Sequence, residues 1–484
     1  MFEEKFARVI RQCEKTGNHQ KALSELEAME RKGVPENACA RFYEAKGLLC
    51  FQMNEIRHTL ECFRRALQSA DGMDTVNRQR LCSNYVMYLH YMEGVTDEEL
   101  RDAHFSYGQM FSHVTPFSHV RRAKENLRVG YLSSNLSDSI VVNFSVQLFS
   151  RYDRGRYEVV LYETGKKKDE VTDWLRGMVN GWRDLSELSA EEAARRIYED
   201  EVDILFDLTG HTEGGRTLQV AAYRPAPVQL CGIGYFDTTG LPAMDYFLSD
   251  VYCDPAENDA LFSERLIRLP RSHFCYTPPV SVLECRAKYH LHRPVVFGSF
   301  NNFHKITDGM LELWHEVICR VPGSRLLLKN VSPDRKLVKA MRERALRIGF
   351  LPEQLDLRPG SWKYLDEYAD VDIALDTYPY PGGGTTCEAL YMGVPVISLY
   401  GQRHGSRFGY SLLQNIGMGE LAAAAPEEYV EKAVAVAGDA ELLTALHRIL
   451  RERLQQSPVM DAGGYVRDVE AAYERIWQEW LDEK

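Results

Sequence analysis

From Leu127 to Leu399 the chain alternates short apolar, β-branched runs with stretches of helical period, and it does so twice. The first series holds Arg128-Val-Gly-Tyr-Leu-Ser-Ser134, Tyr157-Glu-Val-Val-Leu-Tyr162, Val202-Asp-Ile-Leu-Phe-Asp-Leu208 and Pro227-Val-Gln-Leu-Cys231. The second holds Val295-Val-Phe-Gly-Ser-Phe300, Arg325-Leu-Leu-Leu-Lys329, Val371-Asp-Ile-Ala-Leu375 and Pro395-Val-Ile-Ser-Leu399. Strands separated by helices cannot close as hairpins. They form βαβ units, whose parallel sheets are covered on both faces. Between the two series, residues 268–294 are weakly periodic and Pro-bearing, as a linker would be. The pattern predicts two α/β lobes facing a cleft. Open sheets bind ligands at the carboxyl ends of their strands, so the cleft is the expected site.

The remaining chain is helical in character. Across residues 1–120 Gly is sparse and apolar residues recur at three- and four-residue spacing, as in Ala22, Leu23, Leu26 and Met29. From Tyr43 to Ala70 the spacing is more specific. Gly47 on one helix, a turn near Asn54, then Phe63 and Ala66 on the next fit a closely packed tetratricopeptide-like hairpin, with Lys21–Lys32 as half of another. An ordinary helical bundle is the plainer alternative. A last amphipathic helix is expected over roughly 463–482.

Bulk properties narrow the function classes. With 58 basic and 70 acidic residues the net charge is −12, which disfavours a general nucleic-acid binder but leaves room for a local anion pocket. Eleven scattered cysteines without a C-x-x-C pair suit reduced thiols rather than disulfides or zinc. The start Met-Phe-Glu-Glu-Lys-Phe is charged where a signal peptide needs an apolar core, and no apolar run reaches membrane-span length. A cytoplasmic protein with no membrane span is expected.

The densest motif is Leu375-Asp-Thr-Tyr-Pro-Tyr-Pro-Gly-Gly-Gly-Thr-Thr-Cys-Glu-Ala-Leu390. A strand ends, a Pro/Gly loop follows, and a helix opens at Thr385 or Thr386. Gly382, Gly383 and Gly384 leave backbone N–H groups bare beside the Thr hydroxyls, at a helix N-terminus suited to a diphosphate. Glu388, one turn on, could accept hydrogen bonds from ribose hydroxyls. Asp370-Val-Asp372 has D-x-D spacing but precedes a buried strand, so it is read as structural. Cys231 and Cys387 are assigned no chemistry. No G-x-S-x-G elbow occurs.

That segment resembles the donor-binding motif of the O-GlcNAc transferase/SPINDLY glycosyltransferases. So do Arg128–Ser134, Asp207-Leu-Thr-Gly-His-Thr-Glu-Gly-Gly-Arg216, Arg224-Pro-Ala-Pro-Val-Gln229, Gly234-Tyr-Phe-Asp-Thr-Thr-Gly240, Met244-Asp-Tyr246, Phe300-Asn-Asn-Phe-His-Lys305 and Ser406-Arg407, in consistent order over roughly residues 40–425. The resemblance implies a GT-B fold: a helical, tetratricopeptide-like domain over 1–122, an acceptor-side Rossmann-like lobe over 123–285, and a nucleotide-sugar lobe over 286–484 with a C-terminal crossing helix. It implies Lys305 as the cation on the leaving diphosphate. It also implies Asn302 at the diphosphate or sugar, Tyr364 against the nucleobase, and no metal or permanently bound cofactor.

One position departs from the family. Its usual His on the first catalytic loop is replaced by Ser139 in Ser134-Asn-Leu-Ser-Asp-Ser-Ile-Val-Val-Asn-Phe144. A serine cannot accept a proton near neutral pH as imidazole can. Three readings stay open: the acceptor proton leaves through water or a donor phosphate; His211 or Asp138 serves as base, with Asp207 orienting either His211 or a backbone loop; or the protein is inactive. Thr238, Thr239 and Gly240 are read as a turn that either lines the cleft or is plain geometry, and Arg224 and Pro225 as structural.

The expected function is inverting transfer of GlcNAc from UDP-GlcNAc to Ser or Thr of a protein held by the helical domain, for which flagellin or another surface protein is a candidate. The alternatives are another donor or acceptor (GDP-fucose, UDP-glucose, Asn) or an inactive helical-repeat adaptor.

Overall fold

The computed structural model describes residues 2–279, 282, 285 and 291–483. Its N-terminal part is all helical: α1 (Phe2–Thr16), α2 (His19–Glu30), α3 (Cys39–Gln52), α4 (Ile56–Gln68), α5 (Thr75–Leu89) and α6 (Asp97–Gln109). Asp74 caps α5, and Thr96 with Glu99 forms a capping box on α6, so local sequence fixes both starts. α3 and α4 form the close hairpin expected from Gly47. A Cβ there would lie 2.8 Å from the Phe63 ring, so only glycine lets that ring seat on the helix.

Two parallel sheets follow. The first contains β1 (Leu127–Ser133), β2 (Tyr157–Glu163), β3 (Gly181–Asp184), β4 (Ile204–Asp207), β5 (Val228–Cys231), β6 (Tyr246–Asp250) and β7 (Arg265–Leu269), in the order β3-β2-β1-β4-β5-β6-β7. The second contains β8 (Val296–Ser299), β9 (Arg325–Lys329), β10 (Leu355–Arg358), β11 (Ile373–Leu375), β12 (Val396–Leu399) and β13 (Ala422–Ala423), in the order β10-β9-β8-β11-β12-β13. Both sheets therefore reverse strand order beside their first strand, between β1 and β4 and between β8 and β11. That reversal opens the ligand crevice of a doubly wound sheet. Two such lobes make a GT-B fold.

The segment expected as linker over 268–294 is partly strand, since Arg268 and Leu269 close β7. The expected junction at 285–286 meets residues 286–290, which lie outside the described residues. The last helix, Ala462–Asp482, packs on the first lobe. Tyr473 shares a 3.0 Å hydroxyl contact with Tyr131, and Tyr465 donates to the His273 carbonyl at 3.0 Å. The helical part touches the second lobe directly: Asn54 donates to the Phe303 carbonyl at 3.1 Å. Among the described residues no helix is long and apolar enough to cross a membrane.

Candidate active site

The second lobe's crevice is organised by a residue to which the glycine-loop motif assigns no role. Asp376 follows β11 directly and is buried. Its carboxylate accepts from Asn301 Nδ2 at 3.2 Å, Thr377 N at 2.9 Å, Gly382 N at 2.7 Å and Ser398 Oγ at 2.9 Å. One side chain thus ties β8's exit, β12 and the glycine loop together. Burial raises its pKa, opposed by those donors and by the Lys305 charge. Asn301, equally inconspicuous in the sequence, accepts from Thr385 Oγ1 at 2.8 Å. The available signal was position: both residues stand directly beyond strand ends at the switch point.

Lys305 reaches the same spot from the other strand. It ends a short turn after β8, which Asn302 caps by accepting from His304 N at 3.1 Å. Its Nζ donates to the Pro381 carbonyl at 3.0 Å and lies 3.7 Å above the Tyr380 ring centre. Burial lowers its pKa to about 8, with Asp376 opposing. The ammonium is therefore poised against the Gly382–Thr386 loop, held by contacts that a bound anion can replace.

The loop leads into the helix Gly384–Tyr391, one or two residues earlier than expected. Gly382 N is already spent on Asp376. Both threonine hydroxyls donate inward, Thr385 to Asn301 and Thr386 to the Gly382 carbonyl at 3.0 Å. The first-turn N–H groups, which lack intrahelical partners, are what the loop has to offer an anion. Across the cleft a second helix, Ile140–Ser150, presents its own N-terminus: a Cβ on Gly384 would collide with the Ile140 side chain, and Gly383 faces Phe144. Two helix N-termini converge on one place, each favouring negative charge.

Glu388 and Tyr364 are brought together, with the Tyr364 hydroxyl donating to Glu388 Oε1 at 2.6 Å. Burial raises the Glu388 pKa to about 7, and the tyrosine bond lowers it in part. The Tyr364 hydroxyl is itself pushed up, by burial first and then by the Glu388 charge. Asp370 pairs with Arg358, and Asp372 is buried, receiving the backbone of His292 and Val296. The D-x-D pair is thus committed to structure.

The first-lobe candidates sit differently. Ser139 is the N-cap of the helix Ile140–Ser150: its Oγ accepts from Val142 N at 3.4 Å and donates to the Asn135 carbonyl at 2.8 Å. Asp138 beside it is exposed. Its charge acts on the Tyr364 hydroxyl across the cleft. His211 is fully buried, with Nε2 2.9 Å from the Thr239 carbonyl and Nδ1 2.9 Å from Ser83 Oγ. The carbonyl fixes the proton on Nε2 and leaves Nδ1 to accept from the serine, so neither nitrogen is open to an acceptor hydroxyl. Burial holds its pKa well below the usual imidazole range. Asp207 does not touch it. That carboxylate accepts from Thr209 N at 2.9 Å and Gly210 N at 3.1 Å, shaping the turn, and burial raises its pKa to about 6. Thr238 and Thr239 bind Glu264, and Gly240, at positive φ, receives the His104 carbonyl so closely that any Cβ would collide. Their turn docks helix α6 and does not line the cleft. Arg224 pairs with Asp245 at 2.7 Å, as a structural residue.

A family model described as glycosyl transferase family 41 matches residues 107–279 and 275–469. Among curated proteins, the chain is 36% identical over 415 residues to the tomato (Solanum lycopersicum) protein named probable UDP-N-acetylglucosamine–peptide N-acetylglucosaminyltransferase SPINDLY, covering 82% of this chain. The Arabidopsis thaliana protein named probable UDP-N-acetylglucosamine–peptide N-acetylglucosaminyltransferase SEC is 28% identical over 73% of this chain. The chain spans only 44% and 37% of those two proteins, respectively. A solved structure titled as a lysine-to-methionine mutant of Thermobaculum terrenum O-GlcNAc transferase superposes with a TM-score of 0.87 at 29% identity, covering 96% of this chain and 89% of the other. The switch-point cleft, its order of motifs and these matches agree, and the chain belongs to glycosyl transferase family 41, the O-GlcNAc transferase/SPINDLY family of GT-B glycosyltransferases.

Proposed function

We propose that this chain transfers a sugar, most simply GlcNAc from UDP-GlcNAc, to a Ser or Thr hydroxyl of a protein with inversion at the anomeric carbon. The observation that carries the reading is the convergence of Lys305, the Gly382–Thr386 loop and two helix N-termini on one point of the crevice. Departure of a nucleoside diphosphate builds negative charge there, and preorganised donors and a fixed cation lower that barrier. Asn302 lies beside the leaving group, while Glu388 and Tyr364 receive the ribose and base. Asp376 is a positioning residue that shapes the loop.

With Ser139 serving as a cap and His211 engaged at both nitrogens, the acceptor proton leaves through a donor phosphate oxygen or through solvent near Asp138. Asp207 and His211 then act by holding the turn after β4. The reaction in this form needs no metal or permanently bound cofactor. The acceptor lies where the helical arm meets both lobes. There Tyr380, beneath the Lys305 ammonium, also lines a cavity of about 570 Å³ with Asp97, Phe236, Tyr400 and Arg403. Among the described residues no cysteine is in a disulfide, as suits a reducing cytoplasm in which a surface protein such as flagellin is modified before export.

Two measurements test this. A thermal-shift panel of sugar nucleotides should give stabilisation by UDP and UDP-GlcNAc and none by GDP. A GDP response would replace the donor, and silence toward every nucleotide would overturn the enzyme reading. Mass spectrometry of an acceptor after co-expression should show added N-acetylhexosamine on Ser or Thr; addition on Asn, or of a deoxyhexose, would refute the stated chemistry.

A further inference from the structure

Away from the donor crevice, three metal-ligating side chains meet in the packed interface between the lobes. Cys253 follows β6, His273 follows β7, and His404 stands in the turn after β12, so the group draws on both lobes. All three are buried, and one ligating atom from each lies within 4.8 Å of the other two. Each imidazole is held by a carboxylate: His273 Nδ1 is 2.6 Å from Asp250 Oδ2, and His404 Nδ1 is 2.6 Å from Asp254 Oδ2. The carboxylates are in turn fixed, Asp250 by Ser411 Oγ at 2.7 Å and Asp254 by Asn258 Nδ2 at 2.9 Å. A carboxylate on one ring nitrogen, leaving the other for a ligand, is the outer arrangement of metal-binding histidines. His273 Nε2 is buried and has no hydrogen-bond partner, which is costly unless something binds it.

A second trio of the same size provides the contrast. His90, His104 and Asp237 also bring three ligating atoms within 4.8 Å. There, however, the Arg403 guanidinium already pairs with Asp237 through two nitrogens. Both nitrogens of His104 are engaged, by the Leu100 carbonyl and the Tyr235 hydroxyl, each at 2.6 Å. A cation of the protein's own fills that site. The Cys253 group has an orphaned nitrogen instead.

We propose that Cys253, His273 and His404 bind one divalent transition-metal ion, Zn²⁺ by ligand chemistry, as a structural clamp between the lobes. One thiolate and two imidazoles suit zinc, with water in the fourth position. Tetrahedral bonds place such ligand atoms roughly 3.3–3.6 Å apart, so the trio needs to contract by no more than about 1.5 Å on binding. Binding forms two Zn–N bonds and one Zn–S bond and releases the Cys253 proton to solvent.

The test uses full-length protein without a polyhistidine tag, produced with added zinc and dialysed against metal-free buffer. Elemental analysis should find about one zinc per chain. Cys253→Ala and, separately, His404→Gln should each drop the content below about one tenth, while His90→Gln leaves it unchanged. Cobalt substitution should give the intense visible bands of a tetrahedral thiolate site, lost in Cys253→Ala. Folding of the variants is checked by circular dichroism. Zinc-free wild-type protein that gains no thermal stability from added Zn²⁺, or metal retained in the Cys253 and His404 variants, would overturn the proposal.

Discussion

Two regions of this molecule are equally rich in buried titratable groups and differ in what those groups can still do. In the second lobe, Lys305 rests on a carbonyl and a ring, and the first-turn N–H groups of the loop's helix lack intrahelical partners. Where the helical arm meets both lobes, Asp237 and Arg403 pair with each other, while His104 and His211 have both ring nitrogens taken up by neighbouring carbonyls and hydroxyls. Each region holds a residue beyond a strand end that the sequence offers for catalysis, Lys305 in one and His211 in the other. What separates them is spare bonding capacity. A base needs a free lone pair and a leaving-group cation needs exchangeable partners, whereas a group with every valence met is a fastener.

The largest effect that would break this distinction concerns the fastener. Asp237 bears two nitrogens of Arg403, and although burial alone would raise its pKa, that charge and the neighbouring histidines hold it well below the carboxylate range. Asp237→Ala leaves a buried guanidinium without its partner, so unfolding stability should fall by about 3–5 kcal/mol. Chemical denaturation measures this directly. A loss under about 1 kcal/mol would mean that the junction is solvated and its histidines are accessible after all.

Next comes the cleft. Lys305→Ala should lower kcat by roughly 10²–10³, the range for removing one electrostatic stabiliser of a developing anion, and weaken UDP binding only modestly. Because burial lowers the pKa of the ammonium to about 8 in the free protein, kcat/KM should fall as pH climbs past that value. Steady-state kinetics on the variant and across pH separate the two effects. Near-normal turnover in Lys305→Ala would place the leaving-group charge elsewhere.

How far these regions were legible in the sequence follows from the range of the forces involved. Strand cores such as Val129, Leu161, Phe206 and Leu328 announce themselves because a parallel strand is apolar on both faces. Edge strands did not: β3 carries Arg183 and Asp184, β10 carries Asp356 and Arg358, and β13 is two alanines. Gly47 and Phe63 predicted a hairpin because their partners lie within one local unit. Lys305 and the glycine loop were readable as motifs. Their organiser Asp376 was not, because its importance arises from Asn301, Gly382 and Ser398 meeting in space. The setting of His211 was hidden for the same reason, since Ser83, 128 residues away, takes up its second nitrogen.

Glu388 offers a smaller, pH-resolved test of the cleft. Its folded pKa, raised to about 7 against an ordinary 4.5, means the native state binds the proton more tightly than the unfolded chain. Stability from this group therefore falls as pH rises from about 4.5 to 7 and stays reduced above that. A tenfold change in proton affinity is worth roughly 1.4 kcal/mol, so the loss is about 3 kcal/mol at most. Glu388→Gln should flatten that part of the stability–pH curve and raise stability at pH 8, while raising the donor KM several-fold because a neutral amide oxygen is a weaker ribose acceptor than a carboxylate. Asp207 and Glu163 titrate in the same window, so the informative quantity is the difference between variant and wild type. No difference in either readout would remove Glu388 from the donor site.

The smallest expected change is also the sharpest probe of the contrast between fastener and cleft. The acidic limb of a kcat/KM profile reports the pKa of an essential base in the free enzyme. His211 donates Nε2–H to the Thr239 carbonyl and accepts from Ser83 at Nδ1, and burial holds it neutral far below the working pH. It therefore cannot produce that limb. In His211→Gln, whose amide can donate to the same carbonyl, the midpoint of the acidic limb should stay where it is in the wild type. Turnover should fall several-fold at most, through a loosened turn after β4. Stability should drop by about 1–3 kcal/mol, the cost of disturbing a buried, fully bonded polar group. If the limb disappears while the fold holds, the histidine is a base, the Ser83 contact opens during turnover, and the line drawn between the two regions falls.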